Sequence, residues 1–134
     1  MTPHETPLGY TRALPQVTVE EAIRRVTESL GAEGFGVLTR IDVDETLKKK
    51  IGADFRRYVI LGACNPRLAQ RALSTDLAVG LLLPCNVTVF AGDGGETIVQ
   101  VIKPEAMFGL APHDELRPLM KEADERLRRA LDRM

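Results

Sequence analysis

Between Thr18 and Gly31 the apolar residues Val19, Ala22, Ile23, Val26 and Leu30 recur at spacings of three and four, with charged residues filling the gaps. This spacing predicts an amphipathic helix over "TVEEAIRRVTESLG", capped by Thr18 with Glu21 three residues on, as in a capping box, and ended at Gly31 or Gly34. The period then shortens. In "FGVLTRID", alternation predicts a strand with Phe35, Val37, Thr39 and Ile41 on one side and Leu38 and Arg40 on the other. A short helix is expected through "ETLKKKI", capped by Asp44 and closed by Gly52, with Leu47 and Ile51 sharing a face and the lysines towards water.

"RRYVILGA" is apolar on both sides: Val59, Leu61 and Ala63 alternate with Tyr58, Ile60 and Gly62, which predicts an interior strand ending at Cys64. Asn65 then caps, and Pro66 opens, a helix over "PRLAQRALST". "GLLLPCNVTVFA" and "ETIVQVIK" flank "GDGG" and predict an antiparallel hairpin, with Pro84 at a bulge or where regular pairing begins. From about Asp114, Leu116, Leu119, Met120, Ala123, Leu127, Leu131 and Met134 form a helical stripe, with Pro118 in the first turn. Near the start, a polar arm over residues 1–8, with Pro3 and Pro7, precedes a possible edge strand, "GYTRAL".

The resulting order, β-α-β-α-β-α-β-β-α, favours an α+β fold: a single two-layer domain over residues 1–134, with helices packed on a mainly antiparallel sheet. A doubly wound parallel sheet is the alternative. The length of 134 residues and the 44% hydrophobic content suit one core. The 18 basic and 19 acidic residues are interspersed, so no broad field draws a phosphate backbone or an anionic membrane. Nucleic-acid and membrane partners are therefore not expected. With no leader-like pattern in "MTPHETPLGYTRALP" and no long apolar run, the expectation is a soluble, cytoplasmic protein. An excess of Arg over Lys, few Asn and Gln and no Trp fit a heat-adapted source.

The two cysteines, Cys64 and Cys85, each precede one of the two asparagines, Asn65 and Asn86, and each pair adjoins a proline: Cys-Asn-Pro and Pro-Cys-Asn. In a reducing cytoplasm both should be thiols. "GADFRRYVILGACNPRLAQRAL", then "GLLLPCNVTVF" and a "GG" turn, resembles the bacterial and archaeal domains called DUF302, over roughly Gly34 to Pro104. The resemblance implies a small α/β domain, often standing alone and often dimeric. It implies no known reaction.

Several chemistries fit two thiols beside two carboxamides. They can bind a soft ion such as Cu(I), exchange with a disulfide, or line a pocket in which Asn65 and Asn86 hydrogen-bond a small molecule. Cys64, at a helix start, is the thiol placed for a lowered pKa. Against these stands the plain reading of two structural corners, with cysteine as a small buried hydrophobe. Arg56 and Arg57 can grip an anion, or can simply lead into the strand. His4 and His113 lie far apart and define no zinc site, "GDGG" lacks the lysine and helix of a P-loop, and no Ser-His-acid set is evident.

The preferred reading is a non-catalytic small-ligand-binding or regulatory module acting as a homodimer. Its candidate ligand-binding residues are Cys64, Asn65, Cys85, Asn86, Arg56 and Arg57, and no cofactor, metal site or catalytic residue is assigned. The competing reading is a thiol-dependent redox enzyme or soft-metal-binding protein using Cys64 and Cys85.

Overall fold

The computed structural model describes residues 4–109 and 113–134. In chain order the elements are β1 (His4–Glu5), β2 (Gly9–Leu14), α1 (Val19–Ala32), β3 (Gly36–Asp42), α2 (Val43–Ile51), β4 (Tyr58–Cys64), α3 (Pro66–Thr75), β5 (Cys85–Ala91), β6 (Thr97–Ile102), α4 (Pro104–Phe108) and α5 (Arg117–Arg133), with 3-10 turns at Leu77–Leu82 and Asp114–Leu116. The strands form one sheet in the order β1-β2-β6-β5-β4-β3, and every neighbouring pair is antiparallel. The fold is therefore α+β. Of the expected polar arm, residues 1–3 lie outside the described residues, while His4 pairs with Thr11 and Glu5 with Tyr10.

The sheet has two unlike faces, because successive side chains alternate between them. On the inner face Tyr10, Leu14, Val59, Leu61, Ala63, Cys85, Val87, Val89, Val99 and Val101 join the core with Val26 and Leu30 of α1 and Leu127 and Leu131 of α5. Thr18 caps α1 as expected, its hydroxyl accepting from the Glu21 amide at 3.1 Å. Helices α1 and α5 are latched by Glu33, 5% exposed, whose carboxylate accepts from Arg129 and Arg133 at 2.9 Å each. Arg126 adds a bond to the Glu33 carbonyl at 3.1 Å. Arg12 reaches the carbonyls of Leu131 and Asp132, where the free end of α5 favours a cation.

Three expectations need correction. The alternation through "FGVLTRID" does not hold, because a β-bulge falls between Val37 and Thr39. Val37 packs against the core, but Thr39 and Ile41 pair with Gly62 and Ile60 and share their side of the sheet; the extra residue, Leu38, resets the period. Asp44 does not cap α2. The helix begins at Val43, and the Asp44 carboxylate instead accepts from Arg57 and from the Tyr58 amide. The hairpin arm does not start at Gly80: residues through Leu82 form a 3-10 turn, and pairing begins at Cys85, just after a cis Leu83–Pro84 bond.

The outer face comprises Gly9, Thr11 and Ala13 of β2, Ile98, Gln100 and Ile102 of β6, Asn86, Thr88 and Phe90 of β5, and Tyr58, Ile60 and Gly62 of β4. None of these is charged. Gln100 ties two strands to its own, donating to Thr11 at 3.1 Å and accepting from Thr88 at 3.3 Å. Tyr58 and Phe90 stack at 5.0 Å between ring centroids. The packed helices lie on the other face, and α2, beside β3 and β4, buries none of its own residues.

Candidate functional site

Cys64 ends β4, and the next residue turns the chain into α3. Asn65 makes that turn as the sequence predicts: its Oδ1 accepts from the Leu68 amide at 3.2 Å and its carbonyl accepts from Ala69 at 2.9 Å. Pro66, lacking an N–H, opens the helix at no cost in hydrogen bonds. Asn65 is buried, and Gly34, with φ +84°, lets the chain pass over it. A Cβ on Gly34 would lie 3.0 Å from Asn65 Nδ2, so both the backbone angle and the contact ask for glycine here.

One strand over, Cys85 begins β5 opposite Ala63 and points to the inner face. Cys85 and the end of β4 at Cys64 border one apolar cavity of about 30 Å³, with Asn65, Phe35, Phe108 and Met120 among its other walls, while strand alternation gives Cys64, next to inward Ala63, the opposite direction from Cys85. Both cysteines are free thiols, Cys64 half-buried and Cys85 buried. Burial, and to a lesser degree the neighbouring charge of Cys64, push the Cys85 thiol up to about 11. At neutral pH its sulfur is protonated and a poor nucleophile. The cavity is the size of one or two water molecules, well short of the few hundred Å³ that a cofactor or metabolite occupies.

The remaining candidates sit elsewhere. Asn86 faces the opposite way from Cys85, as strand alternation requires, and lines an outer-face depression of about 230 Å³ with Thr6, Thr11, Tyr58, Thr88 and Gln100. Arg56 is paired with Asp93 at 2.9 Å and donates to the Ala91 carbonyl at 3.1 Å. Arg57 is gripped by Glu20, Asp42 and Asp44 at 2.7, 2.8 and 2.9 Å, and Arg40 joins Glu20 and Asp42 at 2.8 Å each. Three carboxylates against two guanidinia leave no surplus positive charge for an anion. The Arg40 hydrogen bond leads in holding Asp42 down to about 2, helped by Arg57. His113 bonds Asp76 at 3.0 Å, and among the described residues no three His, Cys, Asp or Glu side chains converge on a metal position.

Sequence reasoning missed Phe108 and the meeting of Met120 with the ends of β4 and β5. The α5 stripe placed Met120 on the buried side, but nothing in its period told which strand end it would meet. With this arrangement defined, the chain can be set against known proteins. The DUF302 family model, described as a domain of unknown function, matches residues 10–134. The chain belongs to the DUF302 family. The crystal structure of an uncharacterised conserved DUF302 protein from Bacillus stearothermophilus is similar to it at 37% identity and a TM-score of 0.86, covering 96% of this chain and 98% of that one. No functionally curated protein matches the chain. Among the described residues of this DUF302 chain, no helix is long and apolar enough to cross a membrane.

Proposed function

We propose that this DUF302 chain is a non-catalytic small-ligand-binding or regulatory module that works as a homodimer through the outer face of its sheet. The observation that carries the reading is the absence of charge from that face. A sheet face left to water ordinarily carries polar and charged side chains. Here 28% of the chain is charged, yet the outward positions of β2, β4, β5 and β6 hold only apolar, hydroxyl and amide groups. Such a face does not repel a copy of itself, and a twofold pairing matches each patch with the same patch.

The area is adequate. Four strands about 4.8 Å apart and about 20 Å long present roughly 400 Å². Exposed Leu8, Ile41 and Phe55 extend the apolar surface around it, so a pair buries on the order of 1,000 Å² in total, the lower bound for a specific interface. The depression lined by Tyr58, Asn86 and Gln100 would then be roofed by the second copy, and its uncharged donors and acceptors suit a small neutral ligand. The protonated Cys85 thiol and the internally paired Arg57 support a binding role over a catalytic one.

Light scattering across a dilution series tests the reading. The expected mass is twice the 14.8 kDa of one chain, and Thr88→Lys, at the centre of the face, should halve it while leaving the helical circular dichroism intact. A wild-type mass of one chain at tens of micromolar, or a dimer indifferent to Thr88→Lys, would sink it.

A further inference from the structure

The outer face of the sheet carries a hollow at one corner and a half-exposed ring at the other. The hollow is the depression of about 230 Å³, which lies towards the β1–β2 turn: Thr6, Leu8 and Gly9 border it, and Thr11, Asn86 and Gln100 line it. Thr6 fixes that rim, its hydroxyl accepting from the Gly9 amide at 3.1 Å. The ring is Phe55, just before β4 begins at Tyr58. Tyr58 faces outward, being opposite Phe90 and next to buried Val59, and the Phe55 and Tyr58 rings lie 6.2 Å apart between centroids. Phe55 thus extends the stacked pair Tyr58–Phe90 past the end of the strand, with 52% of its surface exposed.

The two features sit diagonally. Across the sheet, β2 and β4 are separated by β6 and β5. Along it, Gly9 is level with Ile102, where β6 ends, whereas Tyr58 is level with Phe90, Ile98 and Ala13 at the other end of the strands. A twofold axis between two such faces, along the remaining diagonal, carries each corner onto the other, so that hollow meets ring twice. That is what a twofold contact demands, because the same patch must be complementary to itself. The strands of the two sheets then cross near a right angle, the orthogonal class of sheet packing.

We propose that the partner subunit's Phe55 closes the outer-face depression, so that each ligand site is built from both chains. This assignment rests on the homodimer reading above and names the residue that completes its site. No charge opposes the contact, since ring and lining are both uncharged. The charged residues of α2 that border Phe55, Glu45, Lys48 and Lys49, are exposed and stay at the rim in water. An open floor of hydroxyls and amides loses most of each hydrogen bond to competing water; an aromatic roof removes that competition. Ligand binding and dimerisation are then linked, each favouring the other.

Trp is absent from the chain, so Phe55→Trp reports from this position alone. Its emission should be blue-shifted in the dimer and move to the red on dilution. A second chain carries a nitroxide on Leu8→Cys in a Cys64→Ala background, in which buried Cys85 stays unmodified. Mixing the two chains should quench the Trp, because label and ring meet across the interface. The same label on Arg24→Cys of α1, on the helix side of the sheet, should leave the emission unchanged. Phe55→Ala, with its circular dichroism intact, should weaken dimerisation about tenfold. Light scattering on the same samples separates the two readings. A wild-type chain that keeps the mass of one copy would overturn the homodimer and this contact with it. A dimer whose Trp is untouched by the Leu8 label, or which Phe55→Ala does not weaken, would overturn the contact alone and leave the homodimer standing.

Discussion

Replacing Asn65 by alanine removes the acceptor for the Leu68 amide at the buried start of α3. Loss of a good cap costs about 1 kcal/mol, up to about 2 where the orphaned donor is buried and cannot turn to water. For a chain of this length the unfolding entropy, about 2.1 cal/mol/K per residue, converts that loss to a fall in Tm of roughly 4–7 °C. Asn65→Asp restores an acceptor and adds a negative charge at the amino end of the helix, so it should recover most of the deficit. Thermal unfolding followed by circular dichroism, at one protein concentration so that association does not confound the comparison, reads both variants. A Tm unchanged in Asn65→Ala would show that the cap bond contributes nothing. Equal losses in Asn65→Ala and Asn65→Asp would assign the effect to the amide nitrogen or to shape instead.

At Gly62 a Cβ would come 2.1 Å from Thr39 Oγ1 and 2.8 Å from Pro84 Cγ, so Gly62→Ala should destabilise by about 1–3 kcal/mol in urea unfolding. Thr39→Ala should recover only part of this, because the proline ring stays. Native thiol titration should consume Cys64 well before Cys85, which is buried and pushed up to about 11, whereas both react together in denaturant; two fast equivalents in the native protein would contradict this. Acid titration should expose the carboxylate latches. The Arg129 hydrogen bond leads in holding Glu33 below its ordinary value, and Asp42 is held down to about 2. Depressed carboxylates stabilise the fold above their unfolded pKa and lose that contribution as the pH falls through the folded value. Stability should therefore decline from about pH 4.5 towards pH 2, and Glu33→Gln should flatten the upper part of that decline.

Local chemistry was legible wherever one residue decides a backbone event. Thr18 and Asn65 cap as read, Gly52 closes α2 in the left-handed region at φ 68°, and Pro118 sits in the first turn of α5. The bulge at Leu38 was not legible, because "FGVLTRID" alternates without interruption and only pairing against β4 reveals the extra residue. Helix α4 spans five residues, too few to show a period. The double-sided apolarity of β4 was correctly read as an interior strand. What it did not tell was that the helices that join the core, α1, α3, α4 and α5, pack on one of the two sides. The mirror-image motifs misled in one respect: Asn65 lies beyond a strand end and Asn86 within a strand, so strand alternation sends Asn86 to the opposite face from Cys85. Met120 entered the site through tertiary packing alone.

The edges of the sheet bear on what kind of assembly its open face allows. One border is β1, only two residues long; the other is β3, bulged at Leu38 and carrying Arg40 and Asp42. Short, kinked and charged borders resist the edge-to-edge stacking by which uncovered strands grow into fibres. Growth is thereby disfavoured in the one direction in which it could continue indefinitely. Were the proposed back-to-back pairing to form, it would cover the uncharged face once and leave nothing further to add.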